Sequence, residues 1–167
     1  MKLNRHLAAG IAVLAIGATA AYAYLGKREM APDAAFTCMD GSRAHVAELK
    51  GKVVLVNFWA TTCEICVKNM PQMIATHNRF SERGYETLAV AMSYDPPARV
   101  IDFTESRKLP FTVVIDNTGS VAHSFGDVQG TPTSVLINKR GEIVKRFVGE
   151  PDFAVLQKAV EALLVEA

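Results

Sequence analysis

Val53-Val54-Leu55-Val56-Asn57-Phe58-Trp59-Ala60-Thr61-Thr62-Cys63-Glu64-Ile65-Cys66 joins an apolar, β-branched run to two cysteines separated by two residues. A run that ends in Cys-x-x-Cys and then turns helical reads as a buried strand feeding a redox-active helix N-terminus. The chemistry follows from the place. Unpaired N–H groups and the positive end of the helix dipole stabilise a thiolate on Cys63, which can then attack a disulfide near neutral pH. Cys66, about one helical turn further on, is placed to resolve the mixed disulfide. A bond between the two closes too small a loop to stabilise much folded structure, so the pair reads as chemical rather than structural.

Outward from this stretch the pattern is that of an α/β domain. On the N-terminal side, Phe36 and Cys38 alternate with Thr37 and Met39 in a short strand that turns at Asp40-Gly41, and Ala44 to Leu49 has room for about one and a half helical turns. On the C-terminal side, the helix from Cys63 is expected to reach about Arg83 and end at Gly84. Its apolar face holds Met70, Met73, Ile74, His77 and Phe80, with a kink expected from Pro71. Strands are expected at Glu86 to Ser93, Phe111 to Ile115, Thr133 to Asn138 and Glu142 to Val148, the last two joined by a hairpin at Lys139-Arg140-Gly141. Helices are expected at Ala98 to Lys108, Val121 to Phe125 and Asp152 to Val165. Alternating strands and helices followed by a hairpin and a helix predict a mixed sheet with helices on both faces.

The 167 residues allow one domain with a real core. Lys plus Arg (18) nearly balances Asp plus Glu (17), which gives no case for binding nucleic acid. Ahead of the domain, Leu7 to Leu25 is an unbroken uncharged run with Lys2, Arg5 and His6 before it and Lys27 and Arg28 after it. This is an export signal. Its length sits between a cleaved signal peptide, for which Ala18-Thr19-Ala20 and Ala21-Tyr22-Ala23 offer cleavage sites, and a retained membrane anchor. In either case the domain lies outside the cytoplasm.

A second motif, Gly130-Thr131-Pro132, opens the strand at Thr133. Strand, Cys-x-x-Cys at a helix start and this Thr-Pro together resemble the thioredoxin fold, in which the proline is cis and faces the cysteines. More closely, Gly51 to Thr61 followed by Cys-x-x-Cys, and Val128 to Thr133 followed by an apolar strand, resemble the bacterial TlpA/ResA/CcmG group. The resemblance implies a thioredoxin-like α/β fold over residues 35–167, with a mixed central sheet flanked by helices and an extra N-terminal strand segment. Residues 1–26 then form the signal peptide or anchor and 27–34 a linker. It also implies a periplasmic, membrane-tethered thiol-disulfide oxidoreductase with no cofactor beyond the redox-active Cys63–Cys66 disulfide and no metal. Its expected partners are client proteins carrying disulfides, such as apocytochrome c or copper-handling proteins, and a transmembrane electron donor of the CcdA/DsbD type. Thr131 and Pro132 would present backbone to an extended client, with Trp59 beside them.

Several positions depart from that group. Asn57 stands where thioredoxins carry a buried carboxylate, and Asn69 where many ResA-like proteins carry a glutamate. Neither can accept the proton that Cys66 must lose to attack, which leaves solvent or Glu64 for that task. Thr62 replaces the usual aromatic residue before the first cysteine. The Glu64 charge beside Cys63 disfavours its thiolate, which stabilises the disulfide and favours a reductant over an oxidant.

Other residues carry ordinary readings. Cys38 reads as a small buried hydrophobe, Met70 and Met73 as core filler, and His77 and His123 as structural or surface histidines. A peroxidase of the peroxiredoxin type needs a threonine and a proline where Ala60 and Val56 stand. A Cu(I) metallochaperone using Cys63 and Cys66 is the alternative function, although such proteins usually space the cysteines by three and add a histidine.

Overall fold

The computed structural model describes residues 28–166. The expected anchor or signal over residues 1–26 lies outside them. Among the described residues no helix is long and apolar enough to cross a membrane.

The central strand is β3 (Val53–Trp59), buried along its whole length. Its side chains alternate between two cores, as the two-residue strand period requires. Val53, Leu55 and Trp59 enter one core with Met70, Met73, Phe80, Val100, Leu156 and Val160, while Val54, Val56 and Phe58 enter the other with Phe36, Val46, Val121 and Phe125. Asn57 shares the parity of Val53, Leu55 and Trp59. It is the polar residue on the face where the active helix packs.

Parallel pairing joins β3 to β4 (Tyr85–Ala91) and β4 to β5 (Thr112–Ile115), and antiparallel pairing joins β3 to β6 (Thr133–Ile137) and β6 to β7 (Ile143–Val148). The resulting order is β5-β4-β3-β6-β7. Parallel neighbours need crossover connections, and the helices supply them. These are α1 (Glu64–Phe80) between β3 and β4 and α2 (Pro97–Arg107) between β4 and β5. The short α3 (Ser120–Ser124) covers the opposite face, and α4 (Phe153–Val165) packs beside α1. The fold is thioredoxin-like, as expected.

Three details differ from expectation. Residues 43–45 are not helical: β1 (Ala35–Thr37) pairs with β2 (Arg43–His45), and a 3-10 turn at Val46–Leu49 follows. Pairing of Phe36 with Ala44 overrides a helical propensity that so short a segment cannot express. α1 ends at Phe80, and a 3-10 turn at Ser81–Arg83 leads to Gly84 at φ 93°. The helix continues through Pro71, within the span expected for it. Finally, part of the expected 27–34 linker is strapped to the domain. Ala31 N–H donates to Gly141 O at 2.8 Å, Ile143 N–H donates to Glu29 O at 2.7 Å, and Ala34 is buried.

Candidate active site

β3 ends at Trp59, and the chain reaches α1 through a turn in which Cys63 N–H donates to Ala60 O at 3.1 Å. Cys63 is the N-cap of α1, with extended backbone (φ −84°, ψ 101°), and its Sγ accepts the N–H of Cys66 at 3.1 Å. A sulfur therefore takes the place usually held by a Ser or Asp oxygen at a helix start. The same N–H and the helix dipole would stabilise negative charge there once the disulfide is reduced. Cys63 and Cys66 are joined, with Cα atoms 5.2 Å apart. Cys66 is 4% exposed while Cys63 is only partly buried, so the first sulfur faces reagents and the second faces the core.

The Thr131–Pro132 bond is cis. Pro132 lies across a recess of about 10 Å³ from Cys66, with Asn57, Asn69, Met73, Pro151 and Phe153 completing its walls. The loop is fixed on both sides: Thr133 Oγ1 donates to Gly130 O at 2.8 Å, and Gly149 N–H donates to Pro132 O at 2.8 Å. The two motifs, more than sixty residues apart in sequence, thus meet at Cys66.

Asn57 and Asn69 both reach this recess and both are buried. Asn57 Nδ2 donates to Ser134 Oγ at 2.9 Å, across the β3–β6 pair. Asn69 Nδ2 has no hydrogen-bond partner, an uncommon condition for a buried amide. Glu64 is exposed in the first turn of α1 and does not line the recess.

Trp59 is not a client-facing residue. It is fully buried, 5.3 Å from the Phe103 ring between centroids, because the parity of β3 turns it into the core under α1. Exposed apolar side chains on this side include Ile65, within the motif, Tyr94, and Val148, which pairs with Thr133 next to the cis proline. His77 is buried between the Tyr85 and Phe111 rings, and burial holds its imidazole pKa below the usual value. His123 is exposed and pairs with Asp127. Cys38 is a free thiol, partly buried against the second core. Among the described residues no group of three or more His, Cys, Asp or Glu side chains converges as a metal site.

One participant was not legible in the sequence. Asp95 sits in a stretch that reads as an ordinary Asp-Pro-Pro turn, yet it is 2% exposed and accepts from both the N–H and the hydroxyl of Thr61. A lone acidic residue before two prolines gives no signal of burial.

A disulfide capping a helix, opposed by a cis proline on a thioredoxin-like sheet, defines a thiol-disulfide oxidoreductase. The chain belongs to the Redoxin family, whose model matches residues 26–163. The thiol-disulfide oxidoreductase ResA of Bacillus cereus is 33% identical over 160 residues, covering 90% of this chain and 91% of the relative. ResA of Bacillus subtilis is 37% identical over 119 residues, covering 71% of this chain and 65% of the relative. A thioredoxin-family thiol:disulfide interchange protein from Chlorobium tepidum superposes with a TM-score of 0.75 at 26% identity, over 83% of this chain and 98% of that one.

Proposed function

We propose that the protein reduces disulfides of client proteins outside the cytoplasm. The reading is carried by the asymmetry of the pair: Cys63 caps α1 and is partly exposed, while Cys66 is buried behind it. In the reduced protein the Cys63 thiolate attacks one sulfur of a client disulfide, forms a mixed disulfide and expels the other client sulfur as a thiolate. Cys66 then loses its proton and attacks Cys63 Sγ. The client leaves as a dithiol, and the Cys63–Cys66 disulfide holds the oxidising equivalents. A membrane electron donor of the CcdA/DsbD type restores the thiols. The client lies along Thr131 and Pro132, joined by a cis bond, and pairs with that backbone as an added strand would.

The proton of Cys66 needs an acceptor. A recess of about 10 Å³ suffices for roughly one water, and the unpartnered Asn69 amide supplies a donor to orient it. A water held there would relay the proton of Cys66 to the expelled client thiolate or to bulk solvent without a carboxylate. The Glu64 charge near Cys63 favours the disulfide, hence the reducing direction. Apocytochrome c and copper-protein cysteines are the client classes that the resemblance suggests, and the uncharged Leu7 to Leu25 run supports export and tethering.

Cys66→Ala tests the reading. Expressed in the exported compartment, it should accumulate mixed disulfides through Cys63, and their partners identify the clients. An absence of trapped species, together with tight Cu(I) binding by wild type, would replace it with the metallochaperone.

A further inference from the structure

The loop between β4 and α2 bonds both halves of the active site through two consecutive side chains. Asp95 Oδ2 accepts the Thr61 N–H at 2.5 Å and Oδ1 accepts the Thr61 hydroxyl at 2.6 Å. A buried carboxylate is costly unless its oxygens are hydrogen-bonded, and here each oxygen is engaged by the same residue. Thr61 lies two residues before Cys63, inside the turn that delivers it to α1. The neighbouring Tyr94 points its hydroxyl to within 3.2 Å of Thr131 Oγ1, on the residue before the cis proline. The loop itself is anchored: Asp95 N–H donates to Met92 O at 2.9 Å, and Met92 N–H donates to Trp59 O at 3.0 Å.

We propose that Tyr94-Asp95 is a positioning element that holds Thr131 in register with Cys63, and that the exposed Tyr94 ring borders the bound client. The proposal rests on the reading that clients dock along Thr131. Thiol-disulfide exchange needs the attacking sulfur in line with the disulfide, so the distance between the loop that holds the client and the loop that holds Cys63 decides the rate. Neither loop bonds the other directly through these side chains; the dipeptide is the bridge. An aromatic ring that is 56% exposed beside the docking strand also offers apolar contact to a peptide at little entropic cost.

The full-length chain is assayed with insulin, whose disulfides lie in a peptide, and with dithiobis(nitrobenzoate), which has no peptide to dock. Tyr94→Phe removes only the hydroxyl. Its KM for insulin should rise about three- to tenfold with kcat altered less than about twofold, and the insulin-to-dithiobis(nitrobenzoate) ratio of kcat/KM should fall by a similar factor. Adding Thr131→Val to Tyr94→Phe should produce no further loss, because both remove one bond. Asp95→Asn should lower kcat for insulin by roughly fivefold or more, with dithiobis(nitrobenzoate) altered less than about twofold, and move the Thr61 amide proton resonance upfield. If that variant does not fold, Thr61→Val, which loses the hydroxyl donor alone, takes its place with the same kcat comparison.

An unchanged substrate ratio in Tyr94→Phe, multiplicative losses in the double variant, or a folded Asp95→Asn with wild-type kcat would each overturn the proposal. Pro132→Ala separates this from the docking reading. If Pro132→Ala leaves insulin KM at the wild-type value, clients do not dock at that loop. If it raises KM while Tyr94→Phe does not, docking stands and the bridge falls.

Discussion

Asn57 Nδ2 donates to Ser134 Oγ at 2.9 Å, so the amide that replaces a carboxylate beside Cys66 is held by the neighbouring strand. Its donor group is spent on structure, and its carbonyl oxygen is too weak a base to take a thiol proton. Asn57→Asp would put an ionisable group at this buried position, where desolvation raises a carboxyl pKa. The variant is expected to resolve mixed disulfides faster near neutral pH, read by stopped-flow release of a fluorescent peptide. It should also lose about 2–4 kcal/mol in urea unfolding at pH 8, where the buried acid is ionised. Equal stability at pH 5 and pH 8 would show that the charge is not buried.

Asn69 offers a test in which stability and rate move in opposite directions. Its Nδ2 is buried without a partner, which costs about 1–3 kcal/mol. Asn69→Leu removes that donor and fills the adjoining recess. Unfolding in urea should show a gain of about 1 kcal/mol, while the step from mixed disulfide to product slows about tenfold if a water oriented by Asn69 relays the proton. A stabilised variant with an unchanged resolution rate would remove Asn69 from the proton path.

Glu64 has two opposed effects. In the first turn of α1 its carboxylate suits the positive end of the helix, and beside Cys63 it repels a thiolate. Glu64→Gln should therefore lose about 0.3–1 kcal/mol of stability. It should also raise the Cys63 alkylation rate by iodoacetamide at pH 6.5 about two- to fivefold, with a reduction potential shifted toward the oxidising side. Added salt should shrink both differences, because Glu64 is exposed.

His77 makes stability depend on pH. Burial lowers its pKa in the folded protein, with the Glu86 charge opposing in part, whereas the unfolded chain binds the proton near 6.5. The unfolded state therefore binds more protons as pH falls. The contribution of neutral His77 is complete above about pH 6.5 and is lost as pH falls toward and through the depressed folded value. Urea midpoints at pH 7.5 and pH 5.0 should differ more for wild type than for His77→Gln. Identical pH dependence in the two proteins would assign the titration elsewhere.

Much of the site was legible because it is written in short-range patterns. The alternation along β3 and the Cys-x-x-Cys at a helix start are local, and so is Thr-Pro before a strand. What was not legible depends on contacts between distant segments. Asp95 looks like a turn residue until the β4–α2 loop carries it to Thr61, 34 residues away in sequence. Trp59 is expected beside the client because it adjoins the motif; its place in the β3 alternation puts it in the interior instead. Ala44 reads as helical in sequence because its strand partner Phe36 comes from another segment. The resting place of residues 29–34 likewise depends on a turn more than a hundred positions downstream.

That strap sets the pole of the domain at which residues 29–34 are held. Ala31 is held at Gly141, in the β6–β7 turn, and the antiparallel pairing of Val54 with Ile137 puts this turn at the start of β3, while Cys63 follows its end. Seven residues of strand separate the two poles by about 20 Å. A domain moored through the chain before Arg28 would stand with its disulfide on the far pole, turned from the anchoring surface toward proteins that approach from the open side.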